Sequence, residues 1–219
     1  MFYFYILQHM LLRFFIFFYL FFISCSIFSQ EIDFQGEITY SQNVISKTKE
    51  LTNTQVQNFF GDTIIAIVKN GNYRQKNINA TGVTDVIYLS DENRLYFILK
   101  GIDTLYFLDG SIDTSKVISI QKNETLDTII GFPCKSLTIN STANKLTYYY
   151  AESLYINPNY FYRHILFHYD IYSAESKSIY LKCITETDLL KGESIAINIV
   201  HKNIEDQVFI LPDFPKIQK

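Results

Sequence analysis

The feature that most constrains this chain is a strand-and-turn rhythm that starts near Phe34 and runs almost to the C-terminus. "FQGEITYSQ" alternates Phe34, Gly36, Ile38 and Tyr40 with Gln35, Glu37, Thr39 and Ser41. A period of two marks a half-buried strand, because successive side chains leave opposite faces of the pleat. "DTIIAIVKNGNYRQKN" is two apolar runs joined at Asn70-Gly71-Asn72. Asn and Gly tolerate positive φ, so this junction predicts a hairpin. "VTDVIYLSDENRLYFILKGIDTLYFLD" continues as a meander whose breaks, "SDEN" and "KGID", are polar and of hairpin length. "KVISIQ", "TIIGFPCKSLTIN", "KLTYYYAES", "KSIYLKCITET", "ESIAINIVHKN" and "DQVFILP" follow. The rhythm predicts a mainly β protein: one strongly curved antiparallel sheet, a half-barrel, with one or two short helices.

Two segments depart from this rhythm. In "TKELTNTQVQNFFGD", Val56, Phe59 and Phe60 recur at helical spacing and Gly61 suits a C-cap. In "NPNYFYRHILFHYDIYS", Asn157 is an N-cap candidate and Pro158 suits the first helical position. Tyr160, Phe161, His164, Ile165 and His168 then fall at helical spacing, which predicts a short helix.

Several strands are apolar on both faces. "RLYFILK" sets Leu95, Phe97 and Leu99 on one side and Tyr96 and Ile98 on the other. In "LTYYYA", Leu146, Tyr148 and Tyr150 share a face opposite Tyr149. A sheet with one wet face should alternate cleanly. Either both faces are covered, or the concave side encloses an apolar pocket. Leu95, Phe97, Leu99, Leu146, Tyr148 and Tyr150 are therefore the candidate pocket or core residues.

The N-terminus has the order of a secretory signal. Arg13 precedes an unbroken apolar run, and Ser24, Ser26 and Ser29 offer small residues for cleavage. The division expected is a signal peptide over 1–29, with Met10 an alternative start, and a single β-rich domain over 30–219. Two other readings stay open: an uncleaved membrane anchor, since the run approaches the length of a span, and lipidation at Cys25 in "FISC". All three place the domain outside the cytoplasm, in the periplasm, at the outer membrane or secreted. Membrane association is expected only through the leader or Cys25.

Charge excludes a class of partner. The chain carries 19 Lys and Arg against 22 Asp and Glu, a net charge of -3, and the cations are scattered rather than gathered in a stripe. Nucleic acid is therefore not an expected partner.

"ETLDTIIGFPCKSLTINSTANKLTYYYAESL" resembles secreted Bacteroidetes proteins of the GLPGLI family. Those proteins carry a strand, a Gly-aromatic-x-Cys-Lys step, another strand and an aromatic-rich strand. Here the pattern is carried by Ile130, Gly131, Phe132, Cys134, Lys135 and Tyr148-Tyr149-Tyr150. "GEITYS" and "DQVFILPDFPKI" are similar to the family's opening and closing segments. The usual Trp and the GLPGLI hexapeptide are missing, which makes this a divergent relative. The resemblance implies an envelope protein with a curved sheet similar to the LolA-type lipoprotein carriers, which hold acyl chains between a half-barrel and helices. It carries no catalytic residues. Together with the two-faced strands it leads to the expectation of a non-enzymatic protein, without cofactor or metal, that binds a lipid-like apolar ligand or an envelope partner protein. A structural module with a filled core is the alternative, and a secreted hydrolase a distant one.

Cys134 and Cys183 are the only cysteines beyond the leader. In an oxidising compartment an even pair invites a disulfide. The strand phase argues against one: Cys183 is in register with Ile179 and Leu181, whereas Cys134 is out of register with Leu137 and Ile139. Pro133 can disturb that phase, so a bridge and two structural thiols both remain open. His164 and His168 at i and i+4 lack the Glu of the metalloprotease motif, and a third ligand could come from His201 or Asp170 only through the fold. No nucleophile elbow, phosphate loop or dinucleotide fingerprint appears.

Overall fold

The computed structural model describes residues 32–219, which form one unit. The leader segment, with Arg13 and Cys25, lies outside the described residues. Twelve strands make a single open sheet in the order β12-β6-β5-β4-β3-β2-β1-β11-β10-β9-β8-β7. The strands are β1 (Gly36–Ser46), β2 (Thr63–Lys69), β3 (Asn72–Ile78), β4 (Val83–Leu89), β5 (Arg94–Leu99), β6 (Leu105–Asp109), β7 (Val117–Ile129), β8 (Phe132–Ser141), β9 (Lys145–Tyr155), β10 (Ser178–Glu186), β11 (Leu190–His201) and β12 (Lys216–Gln218). The first six run as one meander and β7 to β11 as a second. The two are sewn together where β1 pairs antiparallel with β11. Every pairing is antiparallel except the short parallel contact of β12 with β6.

Local chemistry sets the joints. Asn70 (φ 48°) and Gly71 (φ 78°) form the two-residue turn between β2 and β3, as the Asn-Gly signal predicts. A side chain at position 71 is doubly excluded, because a Cβ there would lie 2.4 Å from the Cβ of Tyr160. Helix α1 (Asn53–Phe60) starts at a capping box between Thr52 and Gln55 and ends at Gly61, φ 83°.

"TIIGFPC" forms a tight hairpin. Ile130 (φ 44°) and Gly131 (φ 86°) make the turn joining β7 to β8. The register between these strands then shifts between Asn123 and Asp127. Cys134, Leu137 and Ile139 are all fully buried, which strict alternation forbids. The change of phase falls at Lys135 and Ser136, where β7 carries extra residues between Asn123 and Asp127, and Pro133 precedes it in regular register.

The second expected helix is displaced. Asn157 does cap a turn, accepting from the Asn159 amide at 3.0 Å, but that turn is a 3-10 segment of three residues, Pro158–Tyr160. The chain then runs irregularly to Phe167 and His168, both left-handed at φ 58° and 55°. Only then does α2 (Tyr169–Ser176) begin. Two consecutive left-handed non-glycine residues cannot continue a right-handed helix.

One large core lies on the concave side. It unites Ile38 and Tyr40 of β1, Tyr88 of β4, Leu137 of β8, Tyr148 of β9 and Leu181 of β10 with Phe161, Leu166, Tyr169 and Tyr172 of the inner segment. Strands far apart in the sheet order meet in this core because the sheet curls around that segment. The convex side is covered too, over β2 to β6. Tyr96, Ile87, Leu105 and Phe107 pack with Leu211 and Phe214, while Ile67 packs with Ile204 and Phe209. Arg74 donates to the Val208 carbonyl at 2.9 Å and pairs with Asp85 at 2.7 Å, fastening this covering segment. Tyr96 and Ile98 thus face the C-terminal cover, and Leu95 and Phe97 face the concave interior.

Candidate functional site: a tyrosine-walled cavity

Between the concave sheet and the inner segment lies a cavity of about 380 Å³. Apolar side chains line it from Ala66 and Val68 of β2, Val86 of β4, Leu95 and Phe97 of β5, and Leu146 of β9. Interleaved with them along the sheet are Tyr40 of β1, Tyr73 and Gln75 of β3, Tyr148 of β9 and Tyr180 of β10, which bring hydroxyls and one amide. The inner segment closes the space with Phe161, His164, Leu166, Phe167 and Tyr169, and α1 contributes Phe60. Of the candidate residues, Leu95, Phe97, Leu146 and Tyr148 line the cavity. Tyr150 is buried in the adjoining core, and Leu99, paired with Val83, lies outside the lining.

A bulge brings Tyr180 to the cavity. Tyr180 pairs with Tyr150 and Lys182 with Tyr149, so Leu181 is an extra residue on β10. The phase flips there, and Tyr180, Cys183 and Thr185 all reach the cavity. The unbroken alternation of "SIYLKCIT" places Tyr180 on the opposite face, so the sequence pattern does not reveal it. Gln75 shares the phase of inward-facing Tyr73 with the equally polar Asn77 on β3, so the sequence does not single it out.

The hydrogen bonds are specific. Gln75 donates to the Tyr180 hydroxyl at 3.1 Å, and the Tyr40 hydroxyl donates to the Tyr180 carbonyl at 2.8 Å. The Tyr73 hydroxyl and His164 Nε2 lie 3.3 Å apart. His164 Nδ1 is buried without a hydrogen-bond partner. Burial holds the His164 imidazole neutral, with its pKa lowered to about 4. The phenols of Tyr40, Tyr73, Tyr148 and Tyr169 are pushed well up, by burial first and then by neighbouring groups that include Tyr180 and Cys183.

The cysteines are not bridged; both thiols are free. Strand β9 lies between β8 and β10, and the register sets Cys183 level with Leu137, three residues from Cys134, so the two cysteines are more than two strand spacings, about 9.5 Å, apart. A disulfide needs Cα atoms within about 7 Å. Cys134 donates a weak bond to the Phe132 carbonyl at 3.3 Å. Burial pushes the Cys183 thiol up to about 12, partly offset by Thr185. Neither is an activated nucleophile.

His164 and His168 part company. His164 faces Tyr73, whereas His168 Nε2 meets Ser115 Oγ at 3.0 Å. Ser115 also donates its hydroxyl to Asp113 Oδ1 at 2.5 Å, and Asp113 Oδ2 accepts the Phe167 amide at 3.0 Å. This Ser-His-carboxylate group resembles a triad only in composition. In a triad the serine proton goes to the histidine and the carboxylate orients that histidine. Here the single serine proton is given to the carboxylate, so His168 can only donate. The group's work is to tie the inner segment to the loop after β6.

The fold is similar to PNGF-II, solved in the C2 and P21 space groups. Both forms give a TM-score of 0.50, at 14% and 13% identity, over 85% of this chain. The chain spans about a third of their length, 31% and 32%. An uncharacterised conserved protein from Thermus thermophilus aligns over 83% of this chain and 91% of its own, at 7% identity and a TM-score of 0.40. No family model and no curated protein matches the chain. At these identities the likeness is one of fold: a mainly β domain built on one large open sheet.

Proposed function

We propose that this chain is a non-catalytic envelope protein that takes a lipid-like apolar molecule into its concave cavity. The observation that carries the reading is the cavity itself, about 380 Å³ and lined mostly by apolar and aromatic side chains. Ligand sites are typically concave, mostly apolar spaces of roughly 300–1,000 Å³ with a few converging polar groups. A module with a filled interior would have no such space. The extracytoplasmic setting rests on the apolar leader ending near Gln30, and the carrier role on the resemblance to GLPGLI proteins and LolA-type folds. Among the described residues no helix is long and apolar enough to cross a membrane.

The test is binding of a neutral fluorescent probe, N-phenylnaphthylamine, to the purified chain and to Val68→Phe. Val68 lines the cavity from within the main core, so the larger ring occupies ligand space. Binding should weaken at least tenfold, at a stability cost of about 1–3 kcal/mol. Equal probe binding by both proteins would contradict the reading.

A further inference from the structure

The twenty residues lining the cavity include no Asp, Glu, Lys or Arg. The histidine among them stands against the Tyr88 ring and the Tyr73 hydroxyl, with its second nitrogen unpartnered. An anion placed in such a space meets no counter-charge, and burying an unpaired carboxylate or phosphate is very costly. A neutral polar group meets the opposite situation. Tyr180 accepts from Gln75 at 3.1 Å, which leaves its own proton free to donate. Tyr40, by contrast, spends its proton on a backbone carbonyl at 2.8 Å. Thr185 on the same strand as Tyr180, and Tyr148 on the adjoining β9, add further hydroxyls to the lining.

We infer that the cavity selects an uncharged amphiphile: a single apolar body bearing one hydroxyl, carbonyl or ester group that accepts from Tyr180. Free fatty acids and phospholipid headgroups are excluded from the interior. The volume lies near the low end for ligand sites, which fits one chain or one small ring system. This inference rests on the apolar-ligand reading and adds the charge and the polar handle.

The experiment compares decanol with decanoate on the purified chain by calorimetry at pH 8. The two probes share their chain length and differ at the head, and a carboxylate with an ordinary pKa near ~4 is fully ionised there. Decanol should bind at least about tenfold more tightly. Tyr180→Phe should weaken decanol severalfold while leaving the head-less hydrocarbon decene unchanged. Thr185→Lys, which sets a cation on the wall, should narrow or reverse the preference. Equal binding of decanol and decanoate by the natural chain would overturn the charge selectivity and leave the apolar-ligand reading standing. Binding of neither decanol nor decene would overturn both.

Discussion

The imidazole of His164 lies flat on the ring of Tyr88, with centroids 4.2 Å apart and planes within 11°. Tyr88 belongs to β4 and His164 to the inner segment, so this stack fastens the cavity's inner wall to the sheet. It also makes the wall sensitive to acid. The folded chain takes up the His164 proton only near pH 4, whereas the ordinary value is 6.5. Between those values the unfolded state holds more protons, so stability falls as pH falls through that window. The full loss is on the order of 3 kcal/mol. His164→Phe should keep the stack and flatten this part of the pH profile. Denaturant unfolding of both proteins at neutral and mildly acidic pH measures the difference, and identical slopes would contradict it.

Asn93 should prove a clamp rather than an ordinary turn residue. Its Oδ1 accepts from the Tyr88 hydroxyl and its Nδ2 donates to the Arg163 carbonyl, both at 2.9 Å. It also holds a left-handed backbone at φ 50°, which Asn tolerates better than Ala. Asn93→Ala leaves Tyr88 and the 163 carbonyl without these partners, at a cost of about 2–4 kcal/mol. An effect below about 0.5 kcal/mol in thermal or denaturant unfolding, the range of an ordinary surface substitution, would show that the inner segment is held elsewhere.

Ile130 is a β-branched residue at φ 44° in the β7–β8 turn, 40% exposed. Its side chain gives little packing to offset the strain of that conformation. Ile130→Asn should therefore stabilise the protein by about 0.5–1 kcal/mol, with the Tm rising accordingly. A lower Tm would mean that the isoleucine makes contacts which matter more than its backbone.

The thiols should report their positions. In folded protein both thiols should be alkylated slowly, Cys183 because burial pushes its pKa up to about 12 and Cys134 because it is fully buried on β8. N-phenylnaphthylamine in the cavity should protect Cys183 and leave Cys134 unchanged. After denaturation without reductant, peptide mapping should find both thiols alkylated; a Cys134–Cys183 linked peptide would contradict the strand order.

Much of the sheet is legible in the sequence because its signals are local. The alternation around Ile38, the Asn70-Gly71 turn and the Thr52 cap each depend on a few neighbouring residues. The two apolar faces of "RLYFILK" are legible as a pattern but not as an outcome: one face meets the cavity and the other meets Leu211 and Phe214, far along the chain. Tyr180, unlike Tyr40 and Tyr148, is hidden for a different reason. Its phase depends on one extra residue at Leu181, and a bulge leaves no mark in a period-two pattern. The inner segment reads as a helix from Asn157 because its aromatic spacing is helical. Its backbone instead turns left-handed at Phe167 and His168, where Asp113 and Ser115 capture it.

The central claim is that the concave cavity carries a lipid-like passenger. Native mass spectrometry of the protein purified from its own envelope tests it most directly. The account predicts a bound species of lipid-like mass, released on collisional activation as an uncharged molecule and depleted in Val68→Phe. Repeated recovery of the natural chain as ligand-free monomer would contradict it.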